Sequence, residues 1–331
     1  IINPLWLFYV GFQLSYLAVF FILWLLPLFN KIYYPTNYFV KKIWGIFTVT
    51  LAAQLGIIPL SIYYFHQFPG LFFITNLIIL PFLGILLGGG IILIFLSLLN
   101  ILPEWFALSY NFLIKLMNSC IHVIANQKLF LFENITFSLY KVFASYLLII
   151  SIILFWNYQN RKSTLFFVVG LSILFSVSIF DNYSNSKNEL IVFHNNRQSI
   201  VANKNGSILH LYKSDAILNI SNSYPIKAYK IAKGINEYSE IKTPQVFRYH
   251  EKLILVLDSL GVYPRNHKID IVLLTNSPKI NLIRMLDSLQ PKLIIVDGNN
   301  YKSYVNRWKK SCNEKNISFH FTGTDGAYIL K

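Results

Sequence analysis

Four polar side chains stand inside long stretches of this sequence that carry no charge: Gln13 and Ser15, with Gly11 beside them, then Gln54, then Asn76. An amide or hydroxyl in a hydrocarbon setting is costly unless protein or water satisfies it. Two kinds of work follow. Such residues can join one membrane helix to another, as small and amide side chains commonly do. They can also wet a path along which a hydrophilic substrate moves. The residues by themselves leave both readings open.

The other groups with chemical potential are histidines and carboxylates. No two of His66, His122, His194, His210, His250, His267 and His320 stand at i, i+2 or i, i+4, the separations that build a compact zinc cradle. There is no Cys-x-x-Cys and no glycine-rich phosphate loop, so neither a metal nor a cofactor is expected. Asp258, Asp270, Asp287, Asp297 and Asp325 are scattered. Asp297-Gly298-Asn299-Asn300 follows an apolar run, where α/β proteins often place sites, although a plain strand-end turn fits equally. Arg307-Trp308-Lys309-Lys310 is basic and can touch phosphates, lipid headgroups or simply water. Cys120 and Cys312 fall in different halves, which argues against a disulfide framework.

The elements that must position these groups differ between the halves. The chain has 331 residues, 55% apolar and 13% charged, against about 25% charged in an average soluble protein. Residues 1–180 hold eight Lys or Arg and two acids, Glu104 and Glu133, whereas residues 181–331 hold 21 and 12. The expected architecture is a multi-pass α-helical membrane domain over 1–181 followed by a soluble α/β domain over 188–331. The basic balance of the second suits a polyanion or an anionic lipid surface.

From Leu5 to Phe29 a helix would run about 37 Å, enough for a bilayer core of about 30 Å. Asn30–Lys42 reads as a loop. Ile43–Phe65 is a second span, with a kink expected at Pro59. Leu71–Leu99 would be about 43 Å long, too much for a simple crossing. Pro81 and Gly88-Gly89-Gly90 are expected to break it into a discontinuous or re-entrant element, as transporters do around substrate sites; a kinked helix is the other reading. In Glu104–Lys128 the residues Asn111, Lys115, Asn118, His122 and Asn126 share one helical face. That stripe suits a helix in the membrane interface or one lining a wet path. Phe137–Trp156 and Thr164–Phe180 are further spans. The basic loops 30–42 and 157–163 favour the cytoplasm, which leaves the soluble domain facing outward. A chain opening Ile-Ile-Asn-Pro directly into a span predicts a piece of a longer protein.

In the second half, Glu189–His194, Ser199–Ala202 and Ser207–Tyr212 read as strands, the last two joined at Asn205-Gly206. Residues 213–248 show no clear order. Leu253–Leu257, Ile269–Leu274 and Leu293–Val296 are apolar strands, Ile280–Leu289 and Tyr301–Lys315 helices, and Ile317–Phe321 and Ala327–Leu330 closing strands.

Asn3-Pro4-Leu5, followed by Gly11-Phe12-Gln13-Leu14-Ser15-Tyr16-Leu17-Ala18-Val19, resembles the signature of the ComEC family of competence proteins, as do Gln54-Leu55-Gly56, Ile58-Pro59-Leu60, Tyr64–Phe68 and Thr75-Asn76-Leu77. The resemblance implies an inner-membrane channel for single-stranded DNA in natural transformation. Single-stranded DNA, membrane lipids, other competence proteins and a homo-oligomeric arrangement are the partners it implies. It also implies that 188–331 is a metallo-β-lactamase-like domain, here degenerate. Asp270–Thr275 is similar to the strand before the family's histidine motif, but Asn276-Ser277-Pro278-Lys279-Ile280-Asn281 follows it. Amides, hydroxyls and a lysine do not replace imidazoles as zinc ligands, so no enzyme activity is carried over. The family's N-terminal domain is not in the sequence, in keeping with a piece. A membrane-anchored hydrolase or a small-solute transporter are the alternatives; the first needs metal ligands and the second a charge pair within the spans.

Overall fold

A computed structural model describes residues 4–213, 223–264 and 267–331. Asn3 of the opening stretch and residues 214–222, within the stretch to which the sequence assigned no elements, lie outside the described residues. The chain divides into two compact units, Ile1–Ser178 and Ile179–Lys331.

In the first unit, a 3-10 turn over Pro4–Phe8 precedes helix α1, Val10–Ile32. The single helix expected from Leu5 is therefore split. The Gln13 amide reaches back to the Leu7 carbonyl at 3.0 Å and holds the turn against the helix start. Helix α2, Tyr38–Phe65, begins earlier than the apolar pattern, because the Asn37 side chain accepts from the backbone N–H of Phe39 and Val40 and caps it. It runs on through a buried Pro59 to His66, which turns left-handed at φ 54°.

Strand β1, Phe68–Pro69, leads into helix α3, Phe72–Leu98. The expectation of a broken or re-entrant element is corrected here: α3 is one continuous helix through Pro81 and Gly88-Gly89-Gly90. A proline removes one backbone donor and an apolar setting offers the remaining amides no water to compete for them, so the helical ladder persists on either side.

The glycines have another use. Helix α4, Glu104–Ala125, places Tyr110 against them; a Cβ at Gly90 would lie 2.8 Å from the Tyr110 hydroxyl and one at Gly89 3.3 Å from its ring. That hydroxyl donates to the Leu86 carbonyl at 3.0 Å.

Strand β2, Leu131–Phe132, pairs antiparallel with β1. The Gly70 N–H donates to the Phe130 carbonyl at 2.7 Å and the Ile135 N–H to the His66 carbonyl at 2.9 Å, closing a clasp between two loops far apart in sequence. Helices α5, Leu139–Tyr158, and α6, Arg161–Asn185, complete the set. Among the described residues five helices, all of this unit's but α4, are long and apolar enough to cross a membrane.

Helices α1, α2 and α5 meet around Phe21, Leu25, Phe29, Ala52 and Ile153. Their closest approach is at Gly56, where a Cβ would stand 2.8 Å from the Phe21 ring and 2.9 Å from the Leu17 carbonyl. The Gly56 carbonyl accepts from the Tyr146 hydroxyl of α5 at 2.8 Å, tying in the third helix.

The second unit has four layers. Strands β3 (Glu189–Phe193), β4 (Ile200–Asn205), β5 (Ile208–Lys213) and β6 (Glu237–Lys242) form one sheet with the C-terminal β12 (Tyr328–Leu330), in the order β12-β3-β4-β5-β6. Strands β7 (Val246–Tyr249), β8 (Lys252–Leu257), β9 (Ile271–Leu274), β10 (Leu293–Val296) and β11 (Ser318–Phe321) form the other, parallel from β8 to β11. Alternate residues, among them Val192, Val201, Ile254, Leu273 and Ile295, fill the space between the sheets. The opposite parity faces helices. Ile226 of α7 (Tyr224–Lys233) packs on Ile191, Ala202 and Leu211, while α8 (Leu282–Leu289) and α9 (Lys302–Glu314) cover Val272, Leu274 and Val296.

Sheets covered on both faces give the continuous apolar runs in the sequence. The hairpin turn falls one residue later than expected, on Gly206-Ser207, with Gly206 at φ 60° in the first central position. Order in the described part of 213–248 escaped the sequence because β6 is polar and exposed and α7 buries little beyond Ile226.

The crossing at Gly56 is the tightest point among α1, α2 and α5, and overpacking of this kind costs about 1–3 kcal/mol. Gly56→Ala is expected to lower the thermal stability of the detergent-solubilised protein by that order. Gly45→Ala on the same helix, where nothing lies within 4 Å of the added atom, is expected to be neutral or mildly stabilising; equal effects would refute the tight crossing.

Candidate translocation path and buried carboxylate

Of the polar groups in the spans, Gln13 is engaged twice. It donates to Leu7 and accepts from the Tyr64 hydroxyl at 2.8 Å, joining the start of α1 to the end of α2. Gly11 is exposed with open space where a Cβ would stand. Ser15 is exposed, and Gln54 and Asn76 are half-buried. Among the described residues these last three side chains make no hydrogen bond to protein. No bond links Gln13, Ser15, Gln54 and Asn76 to one another, so the structure gathers them on one helical assembly without building a compact cluster. Thr50, one turn before Gln54, has a buried hydroxyl that also lacks a partner.

Helix α4 supplies the wider polar surface. Asn111, Lys115, Asn118, His122 and Asn126 are all exposed, and Asn126 and His122 bond to each other at 3.1 Å. A different face of α4 meets α3. Tyr110 sits at Leu86–Gly90, while Ile121, Ile124 and Ala125 border an apolar cavity of about 250 Å³ with Leu71 and Thr75. The order is reversed, so the two helices are antiparallel. The contacts are separated by matching rises of about 20 Å along each helix. Helix α4 thus tracks α3 instead of standing apart from it. The β1–β2 clasp brings the loops before α3 and after α4 together, so both helices cross a membrane or neither does. Tyr64, Tyr110 and the clasp had no signal in the sequence, because single tyrosines and two-residue strands carry no periodicity.

In the second unit Asp297 is fully buried at the end of β10. Its Oδ1 accepts from the Asn299 N–H at 3.0 Å and the Asn300 amide at 2.8 Å. Asn300 also donates to the Leu274 carbonyl at 2.7 Å and accepts from the Ser277 N–H at 2.8 Å. The Asn299 amide donates to the Asn276 side chain. These bonds hold Asn276 and Ser277 left-handed, at φ 56° and 51°. The Asp297 Oδ2 and the Thr275 hydroxyl are enclosed and make no hydrogen bond of full geometry, although the Ser199 and Thr275 hydroxyls stand close enough to act on the carboxylate. Burial pushes the Asp297 carboxyl up to about 6; the Ser199 and Thr275 hydroxyls and the Asn299 N–H pull the other way but do not offset it.

Ser199, Lys242, Thr243, Asp258, Thr275 and Asn276 line a cavity of about 270 Å³ beside it. With no imidazole or thiolate among them, these donors do not fit zinc. Among the described residues no three His, Cys, Asp or Glu side chains gather as a metal site would require. On α9 the side chains of Lys302, Arg307, Lys309 and Lys310 are exposed, while Trp308 between them is buried.

Comparison with known proteins adds to this geometry. Residues 1–159 match the family described as Competence protein, and residues 190–331 match the ComEC C-terminal domain. ComE operon protein 3 of Bacillus subtilis (strain 168) is 32% identical over 131 residues, covering 39% of this chain and 16% of that protein. The match thus spans far less than two thirds of the relative's length. No solved structure matches the chain.

The buried carboxylate carries a test of its own. A folded pKa of about 6 against an unfolded value of about 3.9 means the native state holds the proton more tightly. Its contribution to stability is full below the unfolded pKa and is lost as pH rises toward 6. Asp297→Asn keeps the acceptor for Asn299 and Asn300 and adds a donor toward Thr275. It is expected to stabilise the second unit at pH 7 by about 1–3 kcal/mol and to flatten the fall between pH 4 and 6. Hydrogen exchange of the β9 and β10 amides reads both; a variant less stable than the parent at pH 7 would contradict the buried ionisation.

Proposed function

We propose that the chain is a member of the ComEC family of competence proteins, which its matches to the Competence protein and ComEC C-terminal domain families support, and that its helical unit forms part of the conduit for single-stranded DNA across the bacterial inner membrane. The observation that carries this reading is the set of unpartnered polar groups on the spans, Ser15, Gln54 and Asn76. A membrane helix whose polar side chains find no protein partner needs water beside it, and a polyanion needs such a wet wall. Gly11 and Gln13 stand at the mouth, with Gln13 fixing the α1–α2 angle through Tyr64. Helix α4 crosses with α3 and turns Asn111, Lys115, Asn118 and His122 to the same path.

Pro59 and Pro81 with the Gly88–Gly90 run shape the helix surfaces without ending the helices. The basic residues flanking the α1–α2 and α5–α6 loops favour the cytoplasm, which leaves the clasp and the second unit on the outer side. That unit guides the incoming strand by the exposed cations of α9 and does not hydrolyse it. The reading extends to other competence proteins as partners and to a second copy of the chain.

Gln54→Leu and Asn76→Leu, placed in the full-length protein, test it directly. Each replaces a polar group of the proposed wall by an apolar one, and a loss of about 1.4 kcal/mol per site would lower transformation frequency about tenfold while surface-bound DNA and protein abundance hold. Arg307, Lys309 and Lys310 changed together to alanine should instead reduce the DNA held at the surface. Unchanged internalisation in the leucine variants would refute the lining.

A further inference from the structure

At the end of the helical unit that carries Lys31, helices α1 and α5 finish side by side. The Phe29 and Trp156 rings lie 5.9 Å apart, and beyond them opens a cavity of about 360 Å³ lined by Leu28, Lys31, Ile32, Trp156 and Asn157. Its chemistry is divided. Leu28, Ile32 and the Trp156 ring give an apolar wall, while the Lys31 ammonium, the Asn157 amide and the indole N–H are hydrogen-bond donors. The last turns of α1 and α5 add carbonyls with no helical partner. No Asp or Glu occurs in residues 1–103 or 134–180, so α1, α2 and α5 offer Lys31 no carboxylate, and the acid of α6, Asp181, stands 20 residues, about 30 Å of helix, beyond the start of that helix at Arg161.

An apolar wall below, donors above and a rim of carbonyls describe a lipid headgroup in chemical outline. Tryptophan and lysine at helix ends belong at headgroup depth, and basic pockets between spanning helices take anionic headgroups. We propose that this cavity is a binding site for one anionic phospholipid of the phosphatidylglycerol type. Its phosphodiester accepts from Lys31, Asn157 and the Trp156 indole, its headgroup hydroxyls donate to the free carbonyls, and its acyl chain lies along Leu28 and Ile32. The hydroxyls matter, since helix C-termini repel a bare anion. The site does not depend on what the helical unit conducts.

Native mass spectrometry of the full chain, released from nanodiscs of equal phosphatidylglycerol and phosphatidylcholine, tests this. The parent should retain one phosphatidylglycerol in about fivefold preference, the factor that one lysine near an anionic headgroup supplies. Lys31→Gln should abolish the preference and Lys31→Arg should keep it. No preference in the parent, or one that survives Lys31→Gln, would overturn the assignment.

Discussion

Hydrocarbon offers a polypeptide no hydrogen-bond partners, and the form of the first unit follows from that single constraint. It explains why α3 stays helical through a proline and three consecutive glycines, residues that would fray a helix in water. Leaving the ladder would strand amides with nothing to receive them. The same constraint gives each tyrosine hydroxyl at the helix contacts a backbone or amide partner: Tyr146 on Gly56, Tyr110 on Leu86 and Tyr64 on Gln13. Against that background the unpartnered Ser15, Gln54 and Asn76 stand out, and a wet path is the arrangement that relieves them.

The second unit meets the opposite problem, since water competes for every polar group on its surface. Its answer is to cover both sheets with helices and to pair its buried charges at Lys204 and Glu189. Lys204, fully enclosed, donates to the Lys187 carbonyl at 2.6 Å, and Glu189 accepts from Tyr229 at 2.7 Å and Lys233 at 3.2 Å. Burial raises the Glu189 carboxyl, but those two hydrogen bonds and the charges of Lys233 and Lys204 outweigh it and hold it below the usual range. Asp297 lacks such compensation on one oxygen. The strand-end loops around it, with Asn276 and Ser277 left-handed, border a cavity whose described lining holds no imidazole or thiolate.

Much of this was legible from residue order. The apolar runs located four of the five candidate spans and the place of the fifth, α3, though not its continuity, and the apolar blocks located β8, β9 and β10 within two residues, because burial on both faces writes itself as continuous hydrophobicity. The polar stripe of α4 was visible from its spacing, and Gln13, Ser15, Gln54 and Asn76 were visible from their surroundings. What was hidden depends on contacts between distant residues. The glycine run reads as a breaker until Tyr110 is placed against it, and nothing at Gly56 announces that the Phe21 ring of α1 occupies the space of its missing side chain. The clasp between β1 and β2 rests on backbone pairing, which no side-chain pattern announces. The α3–α4 antiparallel pairing follows from those contacts and shifts the amphipathic helix from the membrane surface toward the proposed path.

Substituted-cysteine accessibility along α4 tests that placement most directly, in a full-length protein whose native cysteines have been replaced. Asn111→Cys, Asn118→Cys and His122→Cys should react with a membrane-impermeant maleimide and be protected by single-stranded DNA, while Phe112→Cys and Val123→Cys, exposed about a quarter-turn or more away from those positions, should not react. Uniform labelling around the helix, or polar-face labelling that DNA leaves unchanged, would contradict a conduit wall at α4.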